Sequence, residues 1–398
     1  MKRFFVAVLA VVLILALAAC GGGGSGDGGG DAGGGGGGTE STAGGDGGGD
    51  SGGGGGGGSG ADIAFVIPAN QTLGINDKGW IQNIWTAMSD FCDAKGMTCT
   101  YYQPVDDSKQ SHIDTYDLAV QNGAKLIYGC GNECLEAMRT GPWDFPDTMF
   151  ISLEATGYLP GEIAPNLRAM CTGQQESAWI SGNAAASEGY KNMGIISAFD
   201  IPPLNQWCWG WLQGVNDAAK RNGIEGITIR HHYSGYAAAN PEIQAMSASW
   251  YADGVEMIQC NSAGGNNSII AAATAANKPV FGADADLKDE GPTVITSMVV
   301  DRTMVVTDAL EQAFFGTFEG GGDEVWLGVN EGVSRLSPWP SNRFENYTEE
   351  QYKEDLKYFG DDVGGVRTGM LTPNDALDIY QLIDMMGDDL VIEIVHIK

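Results

Sequence analysis

Apolar residues along the chain fall into short blocks that alternate between two periods. Residues 63–67 form an unbroken apolar run stopped by Pro68, which predicts a strand buried on both faces. From residue 80 to 95 the apolar positions become Trp80, Ile84, Met88 and Phe91, a spacing that predicts a helix. The alternation continues with a strand at 98–102, a helix at 112–120 and strands at 125–128 and 148–153. It restarts with a strand at 193–198, a helix at 204–219, a strand at 227–233 and a helix at 241–251. A strand at 255–259, a helix at 269–276 and a strand at 279–282 follow. Two successive runs of strand and helix predict an α/β fold of two lobes, each a parallel sheet with helices on both faces. The first lobe is expected over about residues 61–170 plus a later return segment, and the second over about 175–335. Beyond these, helices at 347–358 and 374–386 and a strand at 390–397 are predicted. Ligands of such sheets bind beyond the carboxyl ends of the strands. The loops at 68–78, 130–133, 198–206, 261–267 and 283–288 are therefore the expected cleft walls.

The first sixty residues follow different rules. Lys2 and Arg3 precede a nearly continuous apolar run over residues 4–17, and Leu17-Ala18-Ala19-Cys20 comes next. A charged start, an apolar stretch and small residues predict a signal peptide over residues 1–20. The run is shorter than the roughly 20 apolar residues that a membrane span needs. A cysteine directly after the small residues resembles a bacterial lipobox. That resemblance implies that the Cys20 thiol is acylated and becomes the new N-terminus, a reaction that requires a thiolate. Of the 61 glycines in the 398 residues, 27 fall in residues 21–60. Gly, Ser and scattered acids bury no apolar surface, so this tract reads as a disordered tether spanning roughly 35 Å. The expected location is the outer face of the cell membrane, held by the lipid.

Charge narrows the function further. The chain carries a formal net charge of −30, and the part after residue 60 holds 19 basic and 46 acidic residues. Such a body repels phosphate backbones, which excludes nucleic acid as a partner.

Three segments carry candidate chemistry. Asn76-Asp77-Lys78-Gly79-Trp80 lies between the first strand and helix, and Asp77 is either a helix cap or a carboxylate at the cleft edge. Gly282-Ala283-Asp284-Ala285-Asp286 leaves a strand, and its acids are either solvated or acceptors for sugar hydroxyls. Trp207-Cys208-Trp209-Gly210-Trp211 opens a helix, with Trp207, Trp211 and Val215 on one face. One or two of these indoles belong to the core. A planar ligand stacked on an aromatic ring gains ~1–3 kcal/mol per nucleobase.

These segments, in their order, resemble the basic membrane protein (BMP) family of substrate-binding lipoproteins, which includes purine-nucleoside receptors of ABC importers. The first family signature appears as Asn76-Asp77-Lys78-Gly79-Trp80-Ile81 and the second as Gly282-Ala283-Asp284-Ala285-Asp286-Leu287. Thr296-Ser297 and the stretch from Pro203 to Trp211 match two further segments. The resemblance spans about residues 62–335. It implies a type I periplasmic-binding-protein-like fold, an ABC permease as partner, no cofactor and no enzymatic step. It also implies that Trp80 and Trp207 sandwich a purine, that Asp77 makes a polar contact, and that Asp284 accepts from the sugar. Three positions depart from the family pattern: Ile81 stands for an asparagine, Leu287 for a glutamine and Val300 for a lysine. A free nucleobase or another small planar solute is the rival ligand. A ligand sensor or surface interaction protein on the same fold is the rival role.

Seven cysteines follow Cys20. Cys92 and Cys99 flank a helix-to-strand turn, where pairing is plausible in an exported protein. Cys130 and Cys134 are badly spaced for a bridge if they lie on a helix. His112, His231, His232 and His396 show no zinc-like spacing with them. The chain contains no G-x-S-x-G elbow, Walker loop or H-E-x-x-H motif.

Overall fold

The computed structural model describes residues 60–71, 74–76 and 80–397. Asp77 and Cys20 lie outside these residues, as do the expected signal peptide and nearly all of the expected tether.

In chain order the elements are β1 (Ile63–Val66), α1 (Trp80–Lys95), β2 (Cys99–Tyr102), α2 (Lys109–Gln121), β3 (Leu126–Cys130), α3 (Leu135–Met138), α4 (Gly141–Asp144) and β4 (Met149–Leu153). Then come β5 (Leu167–Thr172), α5 (Gln174–Glu188), β6 (Asn192–Ser197), α6 (Pro202–Asn222), β7 (Thr228–Tyr233), α7 (Pro241–Ala252), β8 (Met257–Asn261) and α8 (Asn266–Ala276). The chain continues through β9 (Val280–Asp284), β10 (Val294–Val300), α9 (Arg302–Phe315), β11 (Val325–Leu327), β12 (Ser334–Leu336), α10 (Glu349–Gly360), α11 (Ile379–Met386) and β13 (Glu393–His396). Each predicted strand and helix is present, with ends shifted by a few residues.

The strands form two sheets. The first has the order β11-β5-β4-β3-β1-β2, with every pair parallel. The second has the order β12-β10-β9-β8-β6-β7-β13 and is parallel except for β10 against β12. Strands buried on both faces explain the continuous apolar runs: β1, β3 and β8 are buried throughout. The chain passes between the sheets three times, through α5, through α9 and through residues 328–333.

Helix α5 carried no predicted period. The structure gives the reason: it is buried on nearly every side, including Gln174, Glu176, Ser177, Ser181, Asn183 and Glu188. A helix enclosed all round has no solvent face to produce an amphipathic pattern. It lies against α6, where Gly182 backs onto the Trp211 carbonyl and Gly214 onto the Trp179 carbonyl.

The segment after β12 closes over these helices. A capping box of Thr348 and Gln351 starts α10. Asp355 of α10 accepts from Asn183 at 2.5 Å, from Arg221 at 3.2 Å and from Tyr347 at 2.8 Å. Arg367 pairs with Glu176 at 2.8 Å, and β13 extends the second sheet by pairing with β7.

Candidate functional site

Both sheets reverse their strand order at the same place in the repeat. The chain lays β2 on one side of β1 and β3 on the other; it does the same with β7 and β8 around β6. Such a switch point opens a crevice at the carboxyl ends of the strands.

In the first sheet Trp80, the opening residue of α1, lies over this crevice. A Cβ on Gly131, just after β3, would stand 3.3 Å from the Trp80 ring. Gly131 has φ +81°, a conformation that favours glycine, and a Cβ there would also crowd Glu133 Oε2 at 2.5 Å. Glu133 follows on the rim and accepts from the Asn70 amide at 3.1 Å.

In the second sheet Asn261 ends β8 and donates to Ser197 at the end of β6 (2.8 Å) and to the Leu204 carbonyl (2.9 Å). These bonds hold the first turn of α6 over the crevice. Asn205 in that turn donates to Asp200 at 2.8 Å and accepts from the Tyr233 hydroxyl at 2.8 Å. Trp207 lies one turn further along and is only 6% exposed. Trp209 and Trp211 are fully buried. All three indoles of the cluster therefore serve the core first, and Trp207 keeps a narrow exposed edge. Trp80 is half-buried. Among the described residues, the two indoles expected to sandwich a ligand make no ring contact with each other.

Asp284 is the last residue of β9 and has φ +75°, the left-handed region. Its Oδ1 accepts from the Arg302 guanidinium. Glu154, directly after β4 in the first sheet, has φ +63°. Its Oε1 accepts from the Thr172 hydroxyl and its Oε2 from Gln174 at 2.8 Å. Arg302 Nε stands 3.5 Å from Glu154 Oε1. One buried arginine, 6% exposed, thus meets an acid from each sheet. Burial works against its charge, but the fields of Asp284 and Glu154 outweigh that and raise its pKa above the ordinary arginine value. Glu154 and Arg302 were absent from the sequence reading. They lie far apart in the chain, and nothing local marks them as a pair.

Asp286, the second acid of the motif, accepts from Ser337 at 2.8 Å and serves the loop. Cys92 and Cys99 come together as expected, as neighbouring thiols and not as a bridge; all seven described cysteines are free. Among the described residues no group of three metal-binding side chains occurs, and no helix is long and apolar enough to cross a membrane.

Two doubly flanked sheets joined by three crossings, each with a switch-point crevice, define a two-lobed periplasmic-binding-protein-like fold. Solved structures agree. A solute-binding protein of an ABC transporter system from Conexibacter woesei is 18% identical with a TM-score of 0.60, covering 77% of this chain and 97% of that one. Another from Aeropyrum pernix is also 18% identical, with a TM-score of 0.57 over 82% of this chain and 86% of that one. The chain belongs to the Bmp family, described as ABC transporter substrate-binding protein PnrA-like, which matches residues 63–361. It is similar to the ABC transporter nucleoside-binding protein BmpA of Lactococcus lactis, 22% identical over 281 residues, covering 65% of this chain and 76% of that protein. Its family role is substrate binding for transport and not catalysis.

Proposed function

We propose that this ABC transporter substrate-binding protein takes up a purine nucleoside at the crevice between its two sheets and delivers it to a membrane permease from an extracytoplasmic lipid anchor on Cys20. The observation that carries this reading is Asp284. One of its carboxylate oxygens is held by Arg302, and the other has no protein partner among the described hydrogen bonds. A fixed acceptor of this kind suits a sugar hydroxyl, because a hydrogen bond to a charged group contributes ~1.5–3 kcal/mol. Trp80, half-exposed above Gly131, offers a flat apolar face for the base. Trp207, by its exposed edge, and Asp77 complete the proposed set. The likeness to a nucleoside-binding protein supports the same ligand class.

Titration calorimetry on ligand-stripped protein tests the proposal with a panel of nucleosides, their free bases and riboses. Nucleosides are expected to bind, and bases alone to bind more weakly. Heat from bases equal to that from nucleosides assigns the site to the planar moiety only. No heat from any member of the panel removes the assignment.

A further inference from the structure

The three-residue ionic contact at the crossing between the sheets has a geometry that the ligand alone does not require. Glu154 sits at the end of β4, in the first sheet, and Asp284 at the end of β9, in the second. Arg302 opens α9, the second crossing segment. The start of α9 is itself tied down. Asp301 caps it by accepting from the Met304 amide at 3.0 Å, pairs with Arg335 at 2.7 Å, and donates its own amide to the Val333 carbonyl at 2.9 Å. The guanidinium therefore cannot follow either acid far without moving the crossing.

Both acids adopt positive φ without being glycine. That conformation is costly for a side-chain-bearing residue and persists where its surroundings hold it. It turns each carboxylate from its strand end toward the same cation. Glu154 has both oxygens engaged within its own lobe, by Thr172 and Gln174. Asp284 has a single partner. The arrangement is asymmetric: a fixed acid on one side, a fixed cation in the middle, and on the other side an acid with one free oxygen.

We propose that Arg302 is a positioning residue for the binding site, anchored by Glu154 of the first lobe and setting the orientation of Asp284 of the second. This inference rests on the reading of Asp284 as a ligand acceptor. It assigns Arg302 and Glu154 roles through Asp284 and not through direct contact with the ligand. It also means that ligand pulling on Asp284 is felt at the crossing on which the lobes turn.

The Tyr128 hydroxyl from β3 and the Cys171 thiol from β5 also face the contact, with Glu324 beside Cys171. Burial raises the hydroxyl and the thiol well above their ordinary values, so neither adds charge to the contact near neutral pH.

The experiment compares Arg302→Met, Arg302→Lys and Glu154→Gln with the parent protein. Ligand-free thermal unfolding and nucleoside titration are read at about pH 7.5. Arg302→Met leaves two acids facing one another without their cation, and its melting temperature is expected to fall. Arg302→Lys restores the charge and is expected to recover part of that fall. Nucleoside affinity is expected to fall roughly tenfold to a hundredfold in Arg302→Met, as for loss of one charged hydrogen bond, and to recover in part with lysine. Glu154→Gln removes the anchor and is expected to weaken binding less than Arg302→Met. A melting loss in Arg302→Met that lysine does not rescue, or nucleoside affinity in Arg302→Met equal to the parent's, overturns the proposal and leaves a packing role. If lysine rescues the melting loss but no nucleoside binds even the parent protein, the ionic contact stands and the ligand reading falls.

Discussion

His231 is fully buried on β7, and its Nδ1 lies 2.7 Å from Nδ1 of His396 on β13. Only one of these two nitrogens can carry the proton between them. Burial, and then His396 and His232, push the His231 pKa down to about 3. Unfolded histidine titrates near ~6.5, so the folded state binds fewer protons between those values. Stability is therefore full above the unfolded value and is lost as pH falls toward the folded one. The parent protein is expected to lose melting temperature more steeply below about pH 6 than a His231→Phe variant. Parallel slopes would show that His231 takes up its proton equally in the folded and unfolded states, and would refute the depressed value. The pair was invisible in the sequence because its members lie far apart in the chain and meet only when β13 joins the edge of β7. Trp80 and Asp284 stood out as candidates at this scale, since each directly follows or ends a strand-and-turn pattern. Glu154 and Arg302 were not, because their meaning is each other.

At the scale of elements, apolar period located most strands and helices and missed several whose sequence shows neither period. Helix α5 is the clearest case, and β5 is another, with Arg168 near its start donating to Gln312 of α9. The contact of α5 with α6 rests on the absence of side chains. A Cβ at Gly210 would overlap the Gln175 backbone, and one at Gly214 the Trp179 backbone. Neither backbone can yield without parting the helices. Gly214→Ala is expected to cost about 1–3 kcal/mol, the range for overpacking a filled core, read as a fall in the denaturant midpoint at unchanged slope. An exposed control, Gly223→Ala, tests a different cost: its φ of +62° ends α6, and nothing crowds its Cβ. A loss there that exceeds the loss at Gly214 would contradict close helix approach as the cause.

Across the whole molecule, a Gly-rich segment precedes a strongly acidic body. The proposed anchor makes a simple prediction: in the native host, Cys20→Ala is expected to move the protein from the membrane fraction to the soluble one. Retention in the membrane would refute acylation at that residue. What the sequence by itself determined is the class. Alternating periods dictated two parallel α/β runs and ordered motifs pointed to the family, because each of these is written in neighbouring residues. Only the tertiary structure decided which side chains share the crevice floor. The Glu154–Arg302–Asp284 contact joins two sheets and a crossing helix. Residues that distant in the chain acquire a common environment only when the strand ends are brought face to face, and no local pattern encodes that distance.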